Sequence, residues 1–373
     1  MKKRFSKGYS YITEKQLYKL AFTFRKKRYA VYGKTQTECE EKKNEKIELL
    51  KNHMHIDNQK ITLSEYYSLW ISEQEKEVKQ STVYNYQKSW NHLDKFLGKE
   101  KLADMTKAEV IYMQKAMTKA GSSADTTNRA TRLLRQILNS AITDRIINYN
   151  PCNGIKRLKV EKQKAVETNH RALTEAETAL FLKHAEESYY YNLFRFLLST
   201  GCRISEAIAL TWFDVDFAKS EIRINKTVSR VSNTEYVISN SPKTGASKRT
   251  IPITEEMKQL LQDQKQQNGV LFGSGQQFIF PNARGNMSNY TYVNVAIKKV
   301  IEHINADGKQ YFLPFSVHAF RDTFATRCIE QGMQPNTLKA ILGHSSLKMT
   351  MDLYAHVMPN TKQEELEKIR FAI

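Results

Sequence analysis

The sequence predicts a multidomain, mainly α-helical protein with small β-sheets, on three observations. Its 373 residues are too many for one ordinary core, since domains commonly hold about 100–200 residues. Apolar side chains recur at helical spacings through most of the chain beyond Thr62. The first 55 residues differ in both pattern and charge, with 15 Lys or Arg against 6 Asp or Glu.

The whole chain carries 58 Lys or Arg against 39 Asp or Glu, a formal net charge of +19, which favours a polyanionic partner and nucleic acid first. Cys39, Cys152, Cys202 and Cys328 show no C-x-x-C pairing. Neither a disulfide framework nor a zinc site is therefore expected, and a reducing cytoplasm fits. No run of about 18 apolar residues occurs. The basic start Met1 to Lys7 leads into no apolar signal segment, so the chain is expected to be soluble, without a membrane partner.

In the first module, Tyr18, Leu20, Phe22 and Phe24 alternate with Lys19, Ala21, Thr23 and Arg25, which predicts a strand with one buried face. Lys26 and Lys27 read as a turn and 28–32 as a returning strand, with Thr35-x-x-Glu38 as a capping box opening a charged helix to about Lys51. Arg25, Lys26, Lys27 and Arg28 place four like charges at the hairpin tip, and a basic, aromatic sheet of this kind could contact a DNA groove.

Leu63, Tyr66, Tyr67 and Trp70 then begin a helical pattern that continues over 83–97, 107–120 and 126–145, a bundle of about four helices. Gly121-Ser122-Ser123 separates the last two, and Asn150-Pro151 closes the bundle. The polar, aperiodic stretch from Lys156 to Arg171 reads as a linker, giving domains at 1–55, 60–156 and 172–373 with the linker at 157–171. The last domain opens with the capping box Thr174-x-x-Glu177 and a helix to about Glu187, followed by an apolar helix over 190–200. Strand-like pieces at 221–224, 236–238 and 249–253 predict a small antiparallel sheet. Helices are expected at 255–267, 290–304, 318–331 and 335–342.

Four short stretches of this domain carry chemistry: Thr200-Gly201-Cys202-Arg203 with Glu206, Pro242-Lys243-Thr244-Gly245, His318-Ala319-Phe320-Arg321, and Leu342-Gly343-His344 followed by Tyr354. On a helix His318 and Arg321 share one face and can address one phosphate together. Arg203 follows Gly201 where an apolar helix would end, and Glu206 reads as its orienting carboxylate. Two guanidiniums suit a pentacovalent phosphorane, because each can fork onto non-bridging oxygens and stays charged. Lys243 lies in a strong turn signal between two strands, with Lys226, Lys248 and Arg249 as rivals.

In this order, the stretches resemble the tyrosine recombinase (lambda integrase) family, most like integrases of conjugative transposons and prophages. That pattern runs arginine, hairpin lysine, H-x-x-R, G-H and tyrosine, and the resemblance covers 173–359 strongly and 62–154 more weakly. It implies an N-terminal arm-binding module, a helical core-binding bundle and a mixed α/β catalytic domain. Catalysis would fall to Arg203, Lys243, His318, Arg321, His344 and Tyr354, with Glu206 in support. Tyr354 would be the nucleophile, helped by the positive charge of Arg203, Arg321 and Lys243, and Lys243 the general acid for the 5′-oxygen. His344 would donate to the phosphate, and His318 would assist it or accept the tyrosine proton.

The implied reaction is cleavage and rejoining of DNA through a 3′-phosphotyrosine, with no ATP or other cofactor. No metal is expected, because the nearby carboxylates, Glu206 and Asp322, stand amid cations. Asp322 also departs from the family pattern, in which histidine commonly follows the second arginine. The implied partners are double-stranded DNA at core-type and arm-type sites, three further copies of the chain in a tetramer, and an excisionase or host DNA-bending protein, in the cytoplasm at the nucleoid. The alternatives are a non-catalytic DNA-binding regulator, a housekeeping dimer-resolution recombinase, which would lack the basic first module, and a type IB topoisomerase.

Overall fold

The computed structural model of the chain describes residues 9–12, 16–24, 27–52, 60–159, 171–239, 248–306 and 311–357. Its contacts divide it into two compact units, residues 1–78 with 86–160 and residues 79–85 with 161–373.

In the first unit the alternation around Leu20 becomes a sheet. Strand β2 (Leu17–Phe24) pairs antiparallel with β3 (Lys27–Gly33), and β1 (Tyr9–Ile12), too short to show a period in the sequence, adds the other edge. Leu20 and Val31 pack with Cys39 of helix α1 (Gln36–Asn52), while Thr23, Arg28, Ala30 and Tyr32 stay exposed. Thr35 Oγ1 accepts the Glu38 N–H at 3.1 Å, but the Glu38 carboxylate accepts from the Lys34 N–H at 2.7 Å. The expected capping box is thus only half formed. Arg25 and Lys26 lie outside the described residues, as does the side chain of Lys27.

Four helices follow: α2 (Leu63–Glu77), α3 (Gln80–Leu97), α4 (Lys107–Lys119) and α5 (Ala124–Thr143). Thr62 and Thr106 close capping boxes with Glu65 and Glu109, and Ser123 caps α5. Their apolar faces meet in one core, where Tyr67 stacks on Trp90 with ring centroids 3.9 Å apart. Helix α5 ends before the expected 145, because Arg145 turns into the left-handed region (φ 57°). Its N–H and that of Ile146 bond back to Ile142 and Ala141. Asn150 instead braces the side of α5, donating to the Arg135 carbonyl and to Asn139.

The second unit opens with α6 (Glu175–His184), boxed by Thr174 and Glu177, and α7 (Tyr191–Thr200), followed by one short turn, α8 (Ile204–Ala207). The predicted three-piece sheet is corrected here. Strand β5 (Glu221–Ile224) pairs with β4 (Val215–Asp216) and β8 (Arg249–Pro252), whereas among the described residues β6 (Thr227–Arg230) and β7 (Tyr236–Ser239) form a separate two-stranded sheet. The closely spaced pair closes locally, leaving β5 to take the distant β8. Among the described residues, β7 and β8, which flank Lys243 in the chain, are not paired with each other, and Lys243 itself lies outside the described residues. Helices α9 (Glu255–Phe272), α10 (Tyr290–Ala306), α11 (His318–Glu330), α12 (Pro335–Leu342) and α13 (Leu347–Val357) complete the unit. Phe181, Phe194, Phe315 and Phe320 interlock at the centre of its core and fix α11 against α6 and α7. Among the described residues no helix is long and apolar enough to cross a membrane.

Candidate active site

The site is built on chain reversals at the ends of α7 and α12. Leu193, Phe194, Phe196 and Leu197 bury one face of α7, which stops at Gly201 with a left-handed φ of 61°. Only glycine fits: a Cβ there would lie 2.4 Å from Phe324 Cδ1 and 2.8 Å from Leu342 Cδ2. The reversal delivers Arg203 to the N-terminus of α8. Its backbone N–H donates to Glu206 Oε2 at 3.0 Å, and its Nη1 donates to Oε1 at 2.9 Å.

Glu206 is 4 % exposed, and Arg249 Nη2 also donates to its Oε2, at 2.8 Å. Burial alone would raise the carboxyl pKa. The Arg249 hydrogen bond and charge, with the Arg203 charge and N–H, overcome it and hold Glu206 below the usual carboxylate range. Sequence reasoning treats Arg249 only as a rival of Lys243. The structure gives it a different place, since its Nε donates to the Ile341 carbonyl and ties the start of β8 to the end of α12. Another rival, Lys226, is paired with buried Asp214 at 2.6 Å and donates to Thr211.

Arg321 projects from α11 into the same place. Nη1 donates to the Gly201 carbonyl and Nη2 to the Leu342 carbonyl, each at 2.8 Å. Burial, then the neighbouring Arg203 and Arg249 charges, push its pKa down to about 10, so it remains cationic near neutrality. Two of a guanidinium's five N–H groups are used on these carbonyls, which leaves donors for an anion. His318, the first residue of α11, is exposed one turn away, and Asp322 is half-buried.

Helix α12 ends in a Schellman motif. Gly343 takes φ 65°, its N–H reaches the Ala340 carbonyl, and the His344 N–H reaches the Lys339 carbonyl. This turn swings His344 inward to 8 % exposure. Burial first, then Arg321, Arg203 and Arg249, lower its pKa to about 4, so the ring is neutral at pH 7. Its Nδ1 lies 2.9 Å from Thr350 Oγ1.

Tyr354 is not among these cations. Its hydroxyl donates to the Met333 carbonyl, and its ring packs on the cluster of Ala325, Cys328, Ile329, Leu338 and Leu342. Burial, with a further contribution from Cys328, raises its pKa. The expectation that arginine charge favours the phenolate is therefore corrected for this conformation, because apolar packing holds the phenol instead. Arg203, Arg321 and His344 are brought together around the Glu206–Arg249 pair, and their N–H donors can bind and polarise a phosphate group. Among the described residues, no three His, Cys, Asp or Glu side chains gather as a metal site.

A model of the phage integrase family matches residues 171–361, just over half of the chain, and one of the phage integrase N-terminal SAM-like domain matches 62–118. The XerC-like tyrosine recombinase of Caldanaerobacter subterraneus is 26% identical over 362 residues, covering 91% of this chain and 90% of the relative. The ICEBs1 integrase of Bacillus subtilis is 25% identical, covering 74% of each chain. Among solved structures, the Tn1549 transposon integrase in complex with a circular intermediate DNA superposes with a TM-score of 0.72 at 25% identity, over 83% of this chain and all of that one. A lambda integrase dimer shares the fold, with a TM-score of 0.63 at 18% identity over 95% of this chain and 96% of that one. The chain belongs to the phage integrase family and is a tyrosine-type site-specific DNA recombinase, an integrase.

Proposed function

We propose that Arg203 and Arg321 hold the non-bridging oxygens of a scissile DNA phosphate, that His344 donates to the same group, and that Tyr354 is the nucleophile. The tyrosine oxygen would form a bond to phosphorus at the 3′ side as the bond to the 5′-oxygen breaks, with Lys243 giving that oxygen its proton. His318, exposed on the face of α11 that carries Arg321, is suited to assist the phosphate or to take the tyrosine proton. The observation that carries this reading is the convergence of Arg203, Arg321 and His344 around the buried Glu206–Arg249 pair. Because Tyr354 is docked on Met333, the tyrosine end of α13 would have to shift before attack.

We assign arm-type DNA binding to residues 1–55, core-site binding to residues 60–156 and strand transfer to residues 172–373. The exposed row Thr23, Arg28 and Tyr32, with Lys19 Nζ 5.9 Å from the Tyr32 ring centre, supports the first of these. The remaining parts of the reading are integration and excision of a mobile element, a tetramer on two paired sites, and an excisionase or DNA-bending partner. The test uses duplex DNA from the native insertion junction, nicked beside the cleavage position so that a covalent adduct is trapped. Wild-type protein is expected to form a denaturation-resistant adduct, and Tyr354→Phe to bind the DNA and form none. Adduct formation by the Phe variant would mean that another tyrosine attacks.

A further inference from the structure

We propose that the Thr350 hydroxyl donates to His344 Nδ1 and so holds the imidazole in the tautomer whose Nε2 carries the proton, making Thr350 a positioning residue for strand cleavage. The inference rests on the reading of His344 as a phosphate donor. Thr350 is fully buried, His344 is 8 % exposed, and their Oγ1 and Nδ1 are 2.9 Å apart. A neutral imidazole has one N–H and one lone-pair nitrogen, so its partner at one edge decides what the other edge presents. Only the Nε2–H form lets the ring donate to a phosphate from the edge opposite Thr350.

The hydroxyl is suited to this. In other helices Thr131, Thr200 and Thr323 turn theirs back onto the carbonyl four residues earlier, at 2.9, 2.7 and 2.7 Å. Thr350 instead faces the ring, which is neutral because it is buried beside Arg321, Arg203 and Arg249. A neutral ring carries a single ring proton, so where that proton sits matters. Thr350 also stands four residues before Tyr354 on α13, one helical turn away. The same hydrogen bond therefore ties the turn of α13 that precedes Tyr354 to the phosphate donor.

The experiment is imidazole nitrogen NMR on the full chain, with the His344 signal assigned by its loss in His344→Gln. Wild-type protein should show a protonated Nε2 and an unprotonated Nδ1. A protonated Nδ1 in the wild type overturns the proposal whatever any variant does. Thr350→Val, which keeps the shape and removes the donor, should convert the ring wholly or partly to the other tautomer. It should also slow adduct formation on the nicked duplex by about 10- to 100-fold, and Thr350→Ser should restore both. An unchanged ring signal and wild-type cleavage in the Val variant would sink the idea. Undiminished cleavage by His344→Gln would instead remove the catalytic reading of His344, while the wild-type spectrum still tests Thr350.

Discussion

The arginine cluster and the tyrosine helix lie in one unit and are held by opposite means. Around Glu206, charged groups are fixed by short hydrogen bonds: Arg203 and Arg249 to the carboxylate, and Arg321 to the carbonyls of Gly201 and Leu342. Around Tyr354, apolar side chains and the hydroxyl's hydrogen bond to the Met333 carbonyl do the holding. Hydrogen-bonded charges in a buried setting are directional, so the proposed phosphate-binding part would be organised before substrate arrives. Apolar packing around Tyr354 is less directional, and in the proposed mechanism the tyrosine end of α13 would move while Thr350 stays on His344. On the proposed reading, separating the two would keep the Tyr354 phenol away from the cations until DNA is in place.

Substitutions can break this contrast. The largest effect is expected for Tyr354→Phe, which removes the proposed attacking oxygen and should abolish adduct on the nicked duplex while DNA affinity in a mobility-shift assay stays unchanged. Arg203→Ala should lower the single-turnover cleavage rate by about 10²- to 10³-fold, the usual cost of one preorganised donor to a transition-state oxyanion. Because Arg203 is one-third exposed and Arg249 still satisfies Glu206, its melting temperature should change little. A fall of more than a few degrees would mean that Arg203 is primarily structural.

Glu206→Gln tests the reverse. It leaves buried Arg249 without its counter-charge and should reduce unfolding free energy in denaturant titrations by about 3–5 kcal/mol, with cleavage reduced as a consequence. The carboxyl pKa is depressed in the fold, so this stabilisation is present above the ordinary carboxylate pKa and is lost as pH falls through the lowered value. The Gln variant should lack that acid-sensitive step.

His344 acts at higher pH. Its folded pKa of about 4 lies below the ordinary 6.5, so the stability it contributes is present above about pH 6.5 and declines as the pH falls toward 4. His344→Gln should flatten the melting-temperature profile across that window, and an unchanged slope would show that the ring is not buried neutral. The smallest effect is expected for Arg249→Lys, which keeps the charge but cannot reach Glu206 and the Ile341 carbonyl at once. Cleavage should drop by roughly 10-fold, less than for Arg203→Ala.

Much of this was legible in residue order. Apart from the one-turn α8, the helices from α2 to α12 follow apolar spacing, Thr62, Thr106 and Thr174 announce the starts of three of them, and Gly201 and Gly343 mark the reversals that carry Arg203 and His344. The four motif stretches name Arg203, Glu206, Arg321 and His344, which the fold gathers, and they also name Lys243, His318 and Tyr354. Strand partnership was not legible, because short strands carry no register of their own: β1 was invisible, and β7 was grouped with β8 until β6 claimed it.

The sequence by itself therefore determined the elements, the reversals and the kind of side chain at each motif position, since these depend on local backbone preference and apolar periodicity. Only the tertiary structure decided that Arg249 braces Glu206, that Thr350 meets His344, and that Tyr354 rests on Met333 away from the cations. Those pairings join residues of different elements. Their energies come from burial and from donor–acceptor geometry, which exist only once the helix ends and the sheet edge have been packed together.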